Sequence, residues 1–253
     1  MTIKIYSKED QAYGAFNGGE IIENKPLGFP QDGGELRPYS NIFYWANAVA
    51  KKDSTIGLHP HQGFEILSFV LEGRIRHYDT KMDEWKWLSA GDVQVIQSGS
   101  GISHAEHMES GGRMFQIWVD PNLNQTLNKD ARYSDFTADM FEAEKHDGYE
   151  ETKYTGSADK LVLDAESVDF GRVKIYGNPY RFPLDAKCIY SIYVLNGSLR
   201  IEGKQVNEHD FILIADGNDE LPISGEGEFF YIISPKKPSY STYAELIQER
   251  MRR

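Results

Sequence analysis

The sequence repeats itself, and the repeat limits what the chain can fold into. Phe69-Val-Leu-Glu-Gly73-Arg-Ile-Arg resembles Tyr193-Val-Leu-Asn-Gly197-Ser-Leu-Arg. Downstream, Gly91-Asp-Val-Gln-Val-Ile resembles His209-Asp-Phe-Ile-Leu-Ile. Both copies read as strand, turn, strand, a second turn with Asp, then a further strand. Gly73 to Asp92 is 19 positions and Gly197 to Asp210 is 13, so the first copy carries a hairpin six residues longer. Two similar β modules in tandem account for the 253 residues.

The flanking sequence agrees with an all-β chain. Short apolar runs such as "FEILSFVLEG", "RMFQIWVD", "IYSIYVLNG" and "GEFFYIIS" are bounded by Gly, Asp or Asn turns. Residues 1–135 read as the first module and 136–253 as the second. Residues 130–151 form an acidic stretch with eight carboxylates, which predicts a solvated connector. Thr242 and Glu245 make a capping box before "LIQERMRR", which predicts a short final helix near 242–252 with basic residues in its last turn. No apolar run approaches the roughly 20 residues of a membrane span, and the opening "MTIKIYSKEDQ" lacks a signal-peptide core. The one cysteine, Cys188, allows no intramolecular disulfide and fits a reducing, cytoplasmic compartment. A net charge of −12 argues against direct nucleic-acid binding. A monomer is expected.

Five of the seven histidines fall between His59 and His107. His59 and His61 flank Pro60, and alternate residues of an extended strand share a face. His104 and Glu106 are also two apart. A pair from each of two strands would give three imidazoles and a carboxylate, a donor set for Fe, Mn, Ni, Cu or Zn. Glu65, four residues after His61, competes with Glu106 as the fourth ligand. His77, in the turn-rich "RHYDTKMDE", is expected to be solvated, and His107 should face away from Glu106. His146 and His209 look ordinary. Trp85, Trp87, Phe115 and Trp118 are expected in the core, though a flat aromatic substrate needs some such walls. By counting from the repeat, the second module has Pro183, Asp185, Pro222 and Ser224 where the first has His59, His61, His104 and Glu106. One module keeps the scaffold without the ligands.

"HPHQGFEILSFVLEG" and "GDVQVIQSGSGISHAEH" resemble the two cupin motifs, with Gln97 where proline is usual. "HPHQGFEILSFVLEGRIRHYD", "GDVQVIQSGSGISHAE" and "FQIWV" resemble the pirin branch more closely, whereas "RPYSNIFYWANAVAKKDSTIG" departs from it. The resemblance implies a bicupin of two antiparallel β-barrels (jelly rolls) with one divalent transition metal, Fe(II) foremost, in the N-terminal barrel. Zn, Mn, Ni and Cu remain open. Carried over by motif, its ligands are His59, His61, His104 and Glu106, which favours Glu106 over Glu65. The implied activity is a quercetin 2,3-dioxygenase-like cleavage of a small aromatic, enolic substrate in that barrel. Glu106, or Glu65 if unligated and near, would take the hydroxyl proton. The alternative is a redox-sensitive metal-binding protein that modulates a protein partner without turnover.

Overall fold

The computed structural model describes residues 1–156 and 160–251, with side chains described to residue 249. The chain is all-β and builds two compact units. It opens with β1 (Thr2–Tyr6), β2 (Ala12–Phe16), β3 (Ile21–Leu27), β4 (Ile42–Ala50) and β5 (Ser54–His61). Next come β6 (Glu65–Glu72), β7 (Arg74–Asp79), β8 (Trp85–Ser89), β9 (Val93–Gln97), β10 (Ile102–Met108) and β11 (Arg113–Val119). A short helix α1 (Leu123–Thr126) precedes β12 (Arg132–Phe136), β13 (Glu144–His146), β14 (Tyr149–Lys153) and β15 (Asp169–Ile175). The last strands are β16 (Tyr180–Pro183), β17 (Cys188–Ile201), β18 (Lys204–Asn207), β19 (Phe211–Ala215) and β20 (Glu220–Pro235). Helix α2 (Tyr243–Met251) ends the described chain.

The first unit comprises Gln11–Met140, Leu163–Ala165 and the residues from Tyr240 onward. It has a seven-stranded sheet of order β12-β9-β6-β11-β4-β3-β2 and a four-stranded sheet of order β5-β10-β7-β8. All of its strand pairs are antiparallel. The second unit comprises Met1–Asp10, Phe141–Val162 and Glu166–Ser239. Its strand order is β1-β19-β17-β20-β15-β14-β13, with β16 and β18 on the flanks of β20 and β17. The two orders match position by position. β17 does in one strand what β6 and β7 do in two, and β20 does the same for β10 and β11. The repeat in the sequence is therefore a repeat of topology. In both copies the anchoring glycine has a left-handed backbone, φ 69° at Gly73 and 78° at Gly197. Each lies close to a second glycine, Gly112 and Gly227, where a Cβ would collide.

The extra residues of the first copy sit in the β7–β8 hairpin. There Tyr78 pairs with Trp85, whereas Ile201 pairs with Lys204 around a two-residue turn. That turn, Glu202-Gly203, has positive φ at both positions, as tight hairpins require. The expected boundary at 135/136 lies near the passage between units at Met140–Phe141. A linear division does not carry the termini, because β1 occupies in the second unit the place that β12 holds in the first. Residues 130–151 are mostly exposed, as their acidity predicts, but they are not a plain connector. They supply β12, β13 and the start of β14. Sheet edges tolerate such charge because only one side of the strand is paired.

Helix α2 belongs to the first unit. The capping box forms: Glu245 accepts from the Thr242 backbone N–H at 3.0 Å, and Thr242 Oγ1 accepts from Glu245 N–H at 3.4 Å. The basic last turn, Arg252 and Arg253 with the Arg250 side chain, lies outside the described residues. Asp120, buried at 2% exposure, accepts the Tyr243 N–H on Oδ2 at 3.0 Å, while Oδ1 has no partner. Burial pushes its carboxyl up to about 7. A carboxyl that binds its proton more tightly when folded stabilises the fold below its ordinary pKa and loses that contribution as pH rises to about 7. Lowering the pH from 8 to 5 should stabilise the wild type relative to Asp120→Asn by on the order of 3 kcal/mol in denaturant titrations. Parallel pH profiles for the two proteins would contradict this.

Candidate metal centre

The site lies on the four-stranded sheet of the first unit. The β5–β10 register sets His59 directly opposite His104 and His61 opposite Ile102. The β7–β10 register sets Asp79 opposite His104 and His77 opposite Glu106. Strand parity, read from the sequence, thus holds for both candidate pairs. His61, His104 and Glu106 are buried, and His59 is half-buried.

The imidazoles of His59, His61 and His104 offer ligand nitrogens all within 4.8 Å of one another. His61 Nε2 and His104 Nε2 stand 2.9 Å apart. His59 Nδ1 lies 2.7 Å from the Gly57 carbonyl, which fixes the proton there and leaves Nε2 as the free donor. Burial and the neighbouring imidazoles pull His61 down to about 3, and burial pulls His104 well below its ordinary value. Both rings are neutral at neutral pH, with lone pairs available. Two neutral nitrogens converge on one point, and His104 Nδ1 is buried without a partner. This donor set suits a first-row divalent ion.

Glu106 joins a second group with His104 and His77, again within 4.8 Å. Its carboxylate is held on both oxygens: Gln116 Nε2 donates to Oε2 at 2.7 Å and Ser68 Oγ to Oε1 at 3.3 Å. Trp118 Nε1 donates to Gln116 Oε1 at 3.3 Å, and the Trp118 ring stands edge-on to His61 at 4.7 Å. Ser68 and Gln116 are part of the site that the sequence reading missed. Their only signal was an inward parity on strands β6 and β11. A cavity of about 590 Å³, lined by Pro60, His61, Gln62 and Thr80 and by residues 100–103, opens at the site.

Glu65 belongs to neither group. Between His61 and Glu65 the chain turns through Gly63, at φ 86°, and enters the other sheet, so parity does not carry across. Glu65 accepts instead from Gln97 Nε2 at 2.6 Å and from the backbone N–H groups of Asp164 at 2.8 Å and Ala165 at 2.7 Å. Burial raises its carboxyl to about 6 against these bonds.

His77 is not solvated: it has 0% exposure and sits in β7, which runs further into "RHYDTKMDE" than a turn reading allows. Trp85 and Trp87 are not core residues either, at 41% and 45% exposure. The Arg76 and Arg74 guanidinium groups lie over their rings at 4.8 and 4.3 Å and cover them in place of a core. Phe115 is fully buried as expected. His107 pairs with Thr55 Oγ1 at 2.9 Å, away from the site. His146 is exposed and stacks on Tyr149, and His209 bonds the Tyr193 hydroxyl.

The sheet register also shifts the comparison with the second module by one residue. Anchored at Gly73 and Gly197, the partners of His104 and Glu106 are Leu221 and Ile223, and those of His59 and His61 are Phe182 and Leu184. Counting had given Pro222, Ser224, Pro183 and Asp185, because loops of unequal length displace a count along the chain. The true counterparts are apolar. Phe182, Leu221 and Ile223 lie in the core of the second unit, with Leu184 packed against it. Among the described residues, both candidate ligand groups are in the first unit.

Glu65→Gln should weaken the fold by about 1–3 kcal/mol, because an amide cannot accept all three bonds. It should leave Ni(II) affinity unchanged in a competition assay. Loss of Ni(II) binding in a folded Glu65→Gln protein would place Glu65 among the ligands.

The pirin family's sequence model matches residues 36–119. The match includes the segment 37–57, which by inspection departs from the family. The chain is 28% identical over 184 residues to a quercetin 2,3-dioxygenase of Escherichia coli K12, covering 66% of this chain and 71% of that one. It is 42% identical over 94 residues to a pirin-like protein of Caulobacter vibrioides, covering 36% and 33%. In fold it is similar to the bacterial pirin YhhW of E. coli in complex with nickel(II), with TM-score 0.77, 20% identity and coverage of 92% and 99%. It is also similar to a quercetin 2,3-dioxygenase of Acinetobacter baumannii, with TM-score 0.78, 18% identity and coverage of 99% and 87%. Among the described residues no helix is long and apolar enough to cross a membrane. The strand order, the metal-type donor set and these matches agree: the chain has the two-barrel fold of the bacterial pirins, and its residues 36–119 match the pirin family's model.

Proposed function

We propose that the protein is a metal-dependent dioxygenase acting on a flavonol or a similar enolic phenol. One observation carries the reading: three clustered imidazoles, with a fixed carboxylate beside His104, include His61 in the wall of an open cavity of about 590 Å³, within the size range of small-molecule sites. Relatives named quercetin 2,3-dioxygenase and the nickel-bound E. coli pirin support it.

His59, His61, His104 and Glu106 would hold one divalent ion, with Fe(II) as the proposed native metal. When bound, the ion supplies Lewis acidity at the substrate oxygen and so lowers the pKa of the enolic hydroxyl. The chain's own residues do the rest. Glu106 is placed to take the hydroxyl proton, and its two hydrogen bonds from Gln116 and Ser68 fix the orientation of its carboxylate. Trp118, through Gln116, couples that carboxylate to the aromatic wall beside His61. The Trp118 ring packs against Phe64 at 5.4 Å and Tyr44 at 5.1 Å, so the Nε1 donor that holds Gln116 is itself fixed in place.

Anaerobically iron-loaded protein given quercetin should consume oxygen as the flavonol absorbance falls. His61→Ala should lose both the iron and the uptake. Gln116→Ala should keep the iron and lower kcat by about 10-fold or more, since a freed carboxylate is a poorly positioned base. No oxygen uptake with iron confirmed bound would contradict the flavonol dioxygenase reading, and a different affinity of Fe(II) and Fe(III) forms for a protein partner would then favour the non-enzymatic role.

A further inference from the structure

The first unit holds a second cavity, of about 410 Å³, walled in part by its two helices. Leu123 and Leu127 come from α1 and its C-terminal cap. Tyr243 and Leu246 come from α2, where a spacing of three sets them on one helix face. Phe64 and Asp120 also line it. The Phe64 and Tyr243 rings stand edge-on, with centroids 5.1 Å apart. Of the residues around this cavity only Gln62 also lines the one at the metal centre, so the two are neighbours and not one space.

Asp120 is out of keeping with these apolar neighbours. Its backbone carbonyl accepts the Tyr240 hydroxyl at 2.6 Å, and Oδ2 accepts the Tyr243 N–H at 3.0 Å, so the residue is held from two sides. Oδ1 is buried and has no hydrogen-bond partner. At 2% exposure, water does little to satisfy it. Among the described residues no basic side chain offsets the charge. The charge that acts on Asp120 is a second carboxylate, Glu245, which raises its pKa beyond the effect of burial. A buried carboxylate is costly unless a cation or a donor meets it. Here the chain supplies one donor and leaves the other oxygen open at the cavity wall. Phe64 and Tyr243 add the faces of two aromatic rings, which also favour a positive charge.

We propose that this cavity binds a small organic cation, a primary ammonium on an apolar body, with Asp120 as its counter-ion. The site goes beyond the proposed function and does not depend on the metal centre. The ammonium donates to Asp120 Oδ1, and the apolar body packs on Leu123, Leu127 and Leu246. An uncharged ligand of the same shape fills the same space and leaves the carboxylate uncompensated. An anionic one is repelled by Asp120 and Glu245 together.

The test uses the full chain loaded with Ni(II), titrated by calorimetry at pH 8 with 2-phenylethylamine, which is cationic there, and with its uncharged counterpart 2-phenylethanol. Burial brings the Asp120 carboxyl to about 7, so it is mostly ionised at that pH. Wild type should bind the amine about 10-fold or more tightly than the alcohol, the worth of one hydrogen bond to a charged group. Asp120→Asn still offers an oxygen to the Tyr243 N–H and should bind both compounds alike. Leu246→Trp fills the cavity and should bind neither. His61→Ala should keep the preference for the amine. No saturable binding of the amine, or equal affinity for amine and alcohol in wild type, would overturn the proposal whether or not the variants fold. So would an unchanged preference in folded Asp120→Asn, or undiminished binding in folded Leu246→Trp. Loss of amine binding in folded His61→Ala would place the amine at the metal centre and overturn it as well.

Discussion

The antiparallel pairing of β10 with its two neighbours is the constraint on which the site depends. β10 carries His104 and Glu106 on one face, and only the observed registers set His59 against His104 on one side and His77 against Glu106 on the other. A slip of one residue in either ladder would turn a whole ligand pair to the opposite face. The register is held where the strands leave the site. Gly73 and Gly112 approach closely at one end, and at the other Gly63 N–H bonds the Gly99 carbonyl at 3.0 Å. The donors of the site are thus held by backbone hydrogen bonds before any ion contributes.

The same scaffold appears twice, and the comparison separates what folds the barrel from what binds an ion. Strand order, the left-handed glycine and its close glycine neighbour are common to both units. What differs is the content of the interior. The second unit fills it with Phe182, Leu221, Ile223 and Ile201, which gain stability by leaving water. The first unit places imidazoles and carboxylates there, groups that are costly to bury unless they find partners. Burial pulls the histidines below their ordinary pKa and keeps them neutral. The interior is thereby made ready for a cation that would repay that cost.

The sequence revealed the scaffold, and it pointed to two pairs of candidate donors for one reason: alternation with period two survives in strands. His59 with His61, and His104 with Glu106, were legible because each pair lies within a single strand. Glu65 misled because a turn at Gly63 breaks the parity. His77 was hidden because "RHYDTKMDE" looks like a turn from its first residue, whereas the ladder with β8 continues to Tyr78. Gln116 and Ser68 were illegible because a hydrogen bond to a ligand leaves no spacing rule behind. That β1 belongs to the second unit and β12 to the first had no sequence signal, since a strand of five residues does not reveal which distant strand it pairs with.

The central claim is that this chain holds one metal ion, in its first unit, by His59, His61, His104 and their carboxylate neighbour. Equilibrium dialysis of the metal-free protein against Ni(II), with metal counted per chain, tests it most directly. The account predicts one tightly held equivalent in wild type and none in His61→Ala. Two tight equivalents, or one that survives in His61→Ala, would contradict it.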